Sequence, residues 1–189
     1  MISNMNWQVV QLKDVTPTPW RNGGGTTREL LAWPNAQRWQ WRVSVADVVQ
    51  SGAFSSFVGV KRWFAVLEGD GVCLTVQSDK HTLLKDSIPL AFDGAAQTHC
   101  ELIGGATQDF NLMVQAAGAA RMWRVHDDFE IITNAPKTVA VYAHNTQAIV
   151  QIGNKKQVLL PRSFGWATVD ADTAIRVDGR DALLMEIGI

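Results

Sequence analysis

The chain has too few cysteines to be held together by disulfides. It also has too little charge of either sign to behave as a polyelectrolyte. Only Cys73 and Cys100 occur among its 189 residues, with no CxxC spacing, so neither a disulfide framework nor a thiol-redox pair is expected. Reduced thiols point to a cytoplasmic chain. The formal net charge is -1, and lysine and arginine form no block. Sequence-independent binding to a nucleic-acid backbone needs a basic patch, so a nucleic-acid partner is not expected. No apolar run is long enough to span a bilayer, and Met1 to Trp7 has neither the basic start nor the apolar centre of a signal peptide. A membrane partner is therefore not expected. Histidine is scarce. His81, His99, His126 and His144 never fall at i, i+2 or i, i+4, so the sequence offers no pre-formed metal pair, and no metal or cofactor is expected. The nucleophile elbow Gly-x-Ser-x-Gly is missing. His99 and Cys100 are adjacent, and on a strand they point to opposite faces, which makes them a poor catalytic dyad.

A sustained helical period is missing too, and short alternating segments take its place. The clearest is Trp39 to Val45, where Trp39, Trp41, Val43 and Val45 share one face and Gln40, Arg42 and Ser44 the other. Further strands are expected at Trp7–Leu12, Thr26–Ala32, Lys61–Leu67, Leu83–Phe92, His99–Ile103 and Asp109–Val114. In the second half they fall at Thr138–Ala143, Ala148–Ile152, Phe164–Val169, Ala174–Val177 and Ala182–Ile187. Asp70-Gly71 reads as a type I′ hairpin turn and Gly153-Asn154 as a two-residue turn. Small residues from Ala116 to Arg121 suggest a link, dividing the chain into halves of 1–115 and 116–189. Ile88–Met113 is faintly repeated in Ser163–Met185. An all-β chain of this kind implies a sandwich, a jelly roll or two small barrels.

The most concentrated polar stretch runs from Trp20 to Glu29: Trp20, Arg21, Asn22, three consecutive glycines, Thr26, Thr27, Arg28 and Glu29. Three glycines give a backbone that reaches positive φ and tolerates close approach. No Gly-Lys-Ser/Thr ending follows and no helix is expected after it, so it is not a nucleotide P-loop. Arg21, Arg28, Arg42 and Arg62 all fall in the first third of the chain. Arginine's fork of donors suits a carboxylate, and the amides of Gly23 and Gly24 could supplement it as an anion-binding concavity. The alternative is that each arginine pairs with an acid such as Glu29, Glu68 or Asp109. Period-two geometry puts Asp109 and Asn111 on one strand face, where they could orient a ligand or an arginine. Phe54 and Phe57 could wall a pocket.

In order along the chain, WRNGGGTTRE at Trp20–Glu29, WRVS at Trp41–Ser44, GAFSSF at Gly52–Phe57, GVKR at Gly59–Arg62, LEG at Leu67–Gly69 and DFNLM at Asp109–Met113 resemble the HutD/Ves family. The resemblance covers about the first two thirds of the chain. One departure is Ser55-Ser56-Phe57-Val58-Gly59, where relatives are expected to carry Ser-Leu-Phe-Pro-Gly or a similar run.

The resemblance implies a double-stranded β-helix, or cupin, with two barrel halves in one chain. It also implies a homodimer without the metal-ligand set of many cupins. It further implies an accessory or regulatory role in histidine utilisation, sensing or buffering a small carboxylate such as urocanate, formylglutamate or formate. The alternative is a metal-independent isomerase or hydrolase with Glu29 or Asp109 as general base. The expected ligand-binding set is Trp20, Arg21, Asn22, Gly23, Gly24, Thr27, Arg28, Glu29, Arg42, Phe54, Phe57, Arg62, Asp109 and Asn111. Arg42 or Arg62 is expected to be the carboxylate partner.

Overall fold

The computed structural model describes residues 6–115 and 119–188. The chain forms two compact units, one of Met1–Asp14 with Gly118–Ile189 and the other of Val15–Ala117. Strand β1 (Gln8–Gln11) is followed by a single 3-10 turn at Leu12–Asp14. Then come β2 (Thr18–Pro19), β3 (Gly25–Trp33), β4 (Trp41–Val48), β5 (Gly52–Ala53), β6 (Val60–Glu68), β7 (Val72–Val76), β8 (Asp79–Leu83), β9 (Leu90–Asp93), β10 (Thr98–Leu102) and β11 (Thr107–Gln115). The remaining strands are β12 (Ala120–Val125), β13 (Asp128–Ile132), β14 (Lys137–Ala143), β15 (Ala148–Ile152), β16 (Lys155–Leu159), β17 (Ser163–Val169), β18 (Ala174–Asp178) and β19 (Ala182–Gly188). No helix among the described residues is long and apolar enough to cross a membrane.

The strand orders show why two halves were legible. The Val15–Ala117 unit pairs a sheet β2-β3-β4-β11-β6-β9 with a sheet β5-β10-β7-β8. The other unit has β1-β17-β14-β19-β12 and β13-β18-β15-β16. Adding eight to each label of β4-β11-β6-β9 and β5-β10-β7-β8 reproduces β12-β19-β14-β17 and β13-β18-β15-β16. Each unit is therefore the same double-stranded β-helix, with every pairing antiparallel. Each buries the side chains of its inward faces. In one core these include Val72, Leu74, Phe64 and Cys100, and in the other Val139, Val141, Leu184 and Ile175.

Four expectations are refined. Residues 6–14 belong with the C-terminal unit and not with a 1–115 half, because β1 pairs along β17 and the Leu12 amide donates to the Arg162 carbonyl. Of the expected link, Ala116, Ala117 and Gly118 lie outside the described residues, while Ala120 and Arg121 already belong to β12. The turn between β6 and β7 is not type I′. Positive φ occurs at Gly69 and Gly71 but not at Asp70, and a Cβ on either glycine would meet a carbonyl oxygen at 2.6 or 2.5 Å. The expected strand Leu83–Phe92 is two strands, broken at Leu84–Ser87, where the Ser87 amide donates to the Leu84 carbonyl.

Candidate functional site

Inside the Val15–Ala117 unit lies a cavity of about 780 Å³, within the roughly 300–1,000 Å³ typical of small-molecule sites. Its walls follow from strand parity. Successive residues of a strand face opposite sides, so Thr27 and Glu29 on β3, Arg42, Ser44 and Ala46 on β4, Asn111 and Met113 on β11, and Arg62 and Phe64 on β6 all face inward and line it. The register makes rows of them: Glu29 stands opposite Ser44 and Ser44 opposite Asn111, while Arg42 stands opposite Met113 and Met113 opposite Arg62. A β-bulge interrupts β3 between Glu29 and Leu31. The extra residue, Leu30, is buried at 4% exposure. Such bulges re-aim a side chain.

Arg62 is the most unusual group on these walls. It is 5% exposed, and its guanidinium lies 5.0 Å from the Phe54 ring centroid, 5.8 Å from Phe57 and 5.2 Å from Phe92. One terminal nitrogen donates to Asn111 Oδ1 at 2.9 Å and the other reaches the Ser55 carbonyl at 3.5 Å. Its Nε has no partner. No acid pairs with it among the described residues. Burial, with help from the neighbouring Arg42 cation, pulls its pKa down to about 10, so the group is still charged at neutral pH and poorly solvated.

Arg42 differs because it brings its own acid. Its Nε lies 2.6 Å from Glu29 Oε2, yet that N–H is not aimed well enough to form a hydrogen bond. The contact is a charge pair of loose geometry. Trp20 caps the same space and is fixed by donating from Nε1 to Thr27 Oγ1 at 2.7 Å.

The structure brings together Trp20, Arg21, Asn22, Thr27, Glu29, Arg42, Phe54, Phe57, Arg62 and Asn111 around this cavity. Four expected residues stay outside its walls, each for a visible reason. Arg28 has the wrong parity: it faces away and meets Asp47 at 2.6 Å. Burial alone would raise the Asp47 pKa, but hydrogen bonds from Gln108, Arg28 and Thr26 hold it below its ordinary value. Gly23 and Gly24 offer no free amide to an anion. The Gly23 N–H donates to the Trp20 carbonyl and the Gly24 N–H to Asn22 Oδ1 at 3.0 Å. These glycines shape the loop that holds Trp20 and Asn22 in place.

Asp109 shares the parity of Asn111 but is completely buried. Its Oδ2 accepts from the Thr107 hydroxyl at 2.8 Å and its Oδ1 has no partner. It touches neither Arg28 nor Arg42. Burial, opposed by the Thr107 hydrogen bond and reinforced by Asp47, pushes its pKa up to about 7.

Some site residues escaped sequence reasoning. Ser44 and Met113 could have been found by extending the parity of Arg42 and Asn111. Phe92 could not, because only the β6–β9 register sets it opposite Arg62. Among the described glycines, Gly25 has the tightest constraint, since a Cβ there would sit 2.3 Å from the Asp47 carbonyl and 3.2 Å from the Trp20 ring. Among the described residues, no group of three or more His, Cys, Asp or Glu side chains could hold a metal ion.

Two repeats of the double-stranded β-helix, with an arginine-lined cavity inside the Val15–Ala117 unit, define a two-barrel cupin. The fold likeness extends to a cupin conserved barrel domain protein from Leptotrichia buccalis, at TM-score 0.53 and 9% identity over 100% of this chain and 97% of that one. A family model for HutD matches residues 12–185, and the chain belongs to the HutD family. An uncharacterised 21.2 kDa protein in the hutC 3′ region of Pseudomonas putida is 32% identical over 181 residues, 94% of this chain and 90% of that one. A conserved protein of unknown function from Pseudomonas aeruginosa PAO1 has a TM-score of 0.87 at 26% identity, over 97% of this chain and 100% of that one. HutD from Pseudomonas fluorescens SBW25, in a formate condition, has a TM-score of 0.80 at 32% identity, over 97% and 98% of the two chains.

Proposed function

We propose that the protein is a small-carboxylate receptor of histidine utilisation, sensing or buffering an intermediate such as urocanate, formylglutamate or formate. The observation that carries this reading is Arg62, a buried cation that faces a cavity and has no acid partner among the described residues. Leaving a charge in a low-dielectric interior without a counter-charge is costly. An anion entering the cavity would supply the missing partner, and a carboxylate matches the guanidinium fork. Asn111 holds one terminal nitrogen in place while the phenyl rings exclude water, so an ion pair formed there is screened far less than an exposed one. Ser44 and Trp20 add polar and aromatic surface. Support for the pathway comes from the hutC-region relative.

The test is calorimetry with formate, urocanate and N-formylglutamate on the wild type and on Arg62→Met, which keeps a side chain of similar length against the three phenyl rings. A charge-assisted pair in such a site is worth about 2–5 kcal/mol. The variant should therefore lose about 30-fold or more in affinity while staying folded. Wild-type protein that binds none of the three ligands, or a variant that binds them equally well, refutes the reading.

A further inference from the structure

We infer that Glu29 is a specificity-determining residue, one that makes the cavity prefer carboxylates carrying an N–H donor over carboxylates of the same shape that lack one. The inference rests on the carboxylate reading above and adds the second half of the ligand.

It starts from the charges on the cavity wall. Arg62 has no acid, whereas Arg42 already has Glu29. Arg21 also lines the cavity, but it is exposed to solvent. The cavity therefore offers one buried cation without an acid among the described residues, Arg62, and one carboxylate, Glu29, paired with Arg42. Glu29 reaches Arg42 through Oε2, and its Oε1 accepts no hydrogen bond among the described residues. Its side chain is 38% exposed, and it lines the cavity. A free carboxylate oxygen facing an anion site repels plain anions and accepts from donors. The bulge after Glu29 shows that the strand leaves its regular course at this residue.

The register sets the spacing. Glu29, Ser44 and Asn111 stand side by side on three adjacent strands. Two strand spacings put the Glu29 and Asn111 Cα atoms about 10 Å apart. Both side chains reach inward, Asn111 carrying the bound Arg62 nitrogen and Glu29 carrying its free oxygen. The remaining gap suits a compact ligand whose carboxylate meets Arg62 while an N–H a few bonds away meets Glu29. A ligand with no donor would leave Glu29 unanswered beside its own negative charge.

The experiment compares N-acetylglycine with acetoxyacetate, in which an ester oxygen replaces the N–H and little else changes. Both are titrated by calorimetry, or by NMR shifts where heats are small, into the wild type and Glu29→Ala. A hydrogen bond to a charged acceptor should favour the amide by about 10-fold or more in the wild type. In Glu29→Ala that ratio should fall to within about twofold, and acetoxyacetate should bind more tightly because Arg42 is released. A purely structural role for Glu29 would weaken both ligands alike and leave the ratio unchanged, which overturns the assignment. Equal behaviour of the pair on the wild type, whether both bind or neither does, also overturns it. If formate, urocanate and N-formylglutamate fail to bind as well, the carboxylate reading falls with it.

Discussion

Replacing Asp109 by asparagine should make the protein's stability less sensitive to pH. Asp109 is fully buried, and its pKa rises from an ordinary 3.8 to about 7 in the folded protein. Below about pH 4 the carboxyl is protonated in both folded and unfolded chains and costs nothing. Between about pH 4 and 7 the native state keeps the proton and the unfolded state has lost it. Stability then falls by about 1.4 kcal/mol per pH unit. Above about pH 7 the loss levels off, at about 4 kcal/mol from this group.

Asparagine has no such proton to lose. It can still accept the Thr107 hydroxyl, but it places an NH2 where Oδ1 now lacks a partner, a cost of about 1–3 kcal/mol that does not vary with pH. The absolute effect of the substitution is therefore a compromise, whereas its pH dependence is not. Urea unfolding followed by tryptophan fluorescence, with eight tryptophans as reporters, should show the variant gaining about 3 kcal/mol relative to wild type between pH 5 and pH 8. Two stability curves that stay parallel over that range would refute the argument.

Two substitutions separate parts of the motif that look alike in sequence. Gly25→Ala would drive a methyl to 2.3 Å from the Asp47 carbonyl and should cost about 2–4 kcal/mol. Gly23→Ala, with nothing within 4 Å but a φ of +71°, should cost only about 1 kcal/mol. Thermal unfolding of the pair checks the order, and equal losses would contradict it. Arg28→Ala removes a half-exposed pair with Asp47, so it should cost about 1 kcal/mol or less and leave carboxylate affinity unchanged. A tenfold loss of affinity in that variant would mean that the outer face of β3 contributes to binding.

Parity was the part of the site that could be read from residues alone. Trp39–Val45 alternates cleanly, so Arg42 and Ser44 were assigned to one face, and β4 turns that face into the cavity. The same reasoning paired Asp109 with Asn111, but parity cannot say how far along the strand the cavity extends. Depth depends on cross-strand register, which is set by many partners at once. Arg28 was included because composition groups it with Arg21. Once the strand is drawn, Thr27 and Glu29 claim the inward face and Arg28 must leave it. The edge strand β8 (Asp79–Leu83) lacks the apolar alternation that marks a strand, because its residues are mostly polar, a composition that blunts further pairing at an edge. The edge strand β13 (Asp128–Ile132) does alternate, with Phe129 and Ile131 turned to the core, but it is only five residues long.

What separates the two barrels is the chemistry of their inward positions, because their winding is the same. On β14 and β19 the inward residues are Val139, Val141, Ala143 and Leu184, all unexposed and packed on Val150, Ile175 and Val177. The charged pair on those strands, Lys137 and Glu186, is complete at 2.8 Å. On β6 and β11 the corresponding sheet turns Arg62, Asn111 and Asp109 inward, and neither ionisable group has an opposite charge beside it among the described residues. Two such groups work against the stability of a barrel that could have been filled with valine and leucine, as its counterpart is. A fold tolerates that kind of cost at sites where something else must bind. The two groups also separate the roles. Arg62 faces the cavity, so a ligand can neutralise it. Asp109 is sealed away from it, so only a proton can.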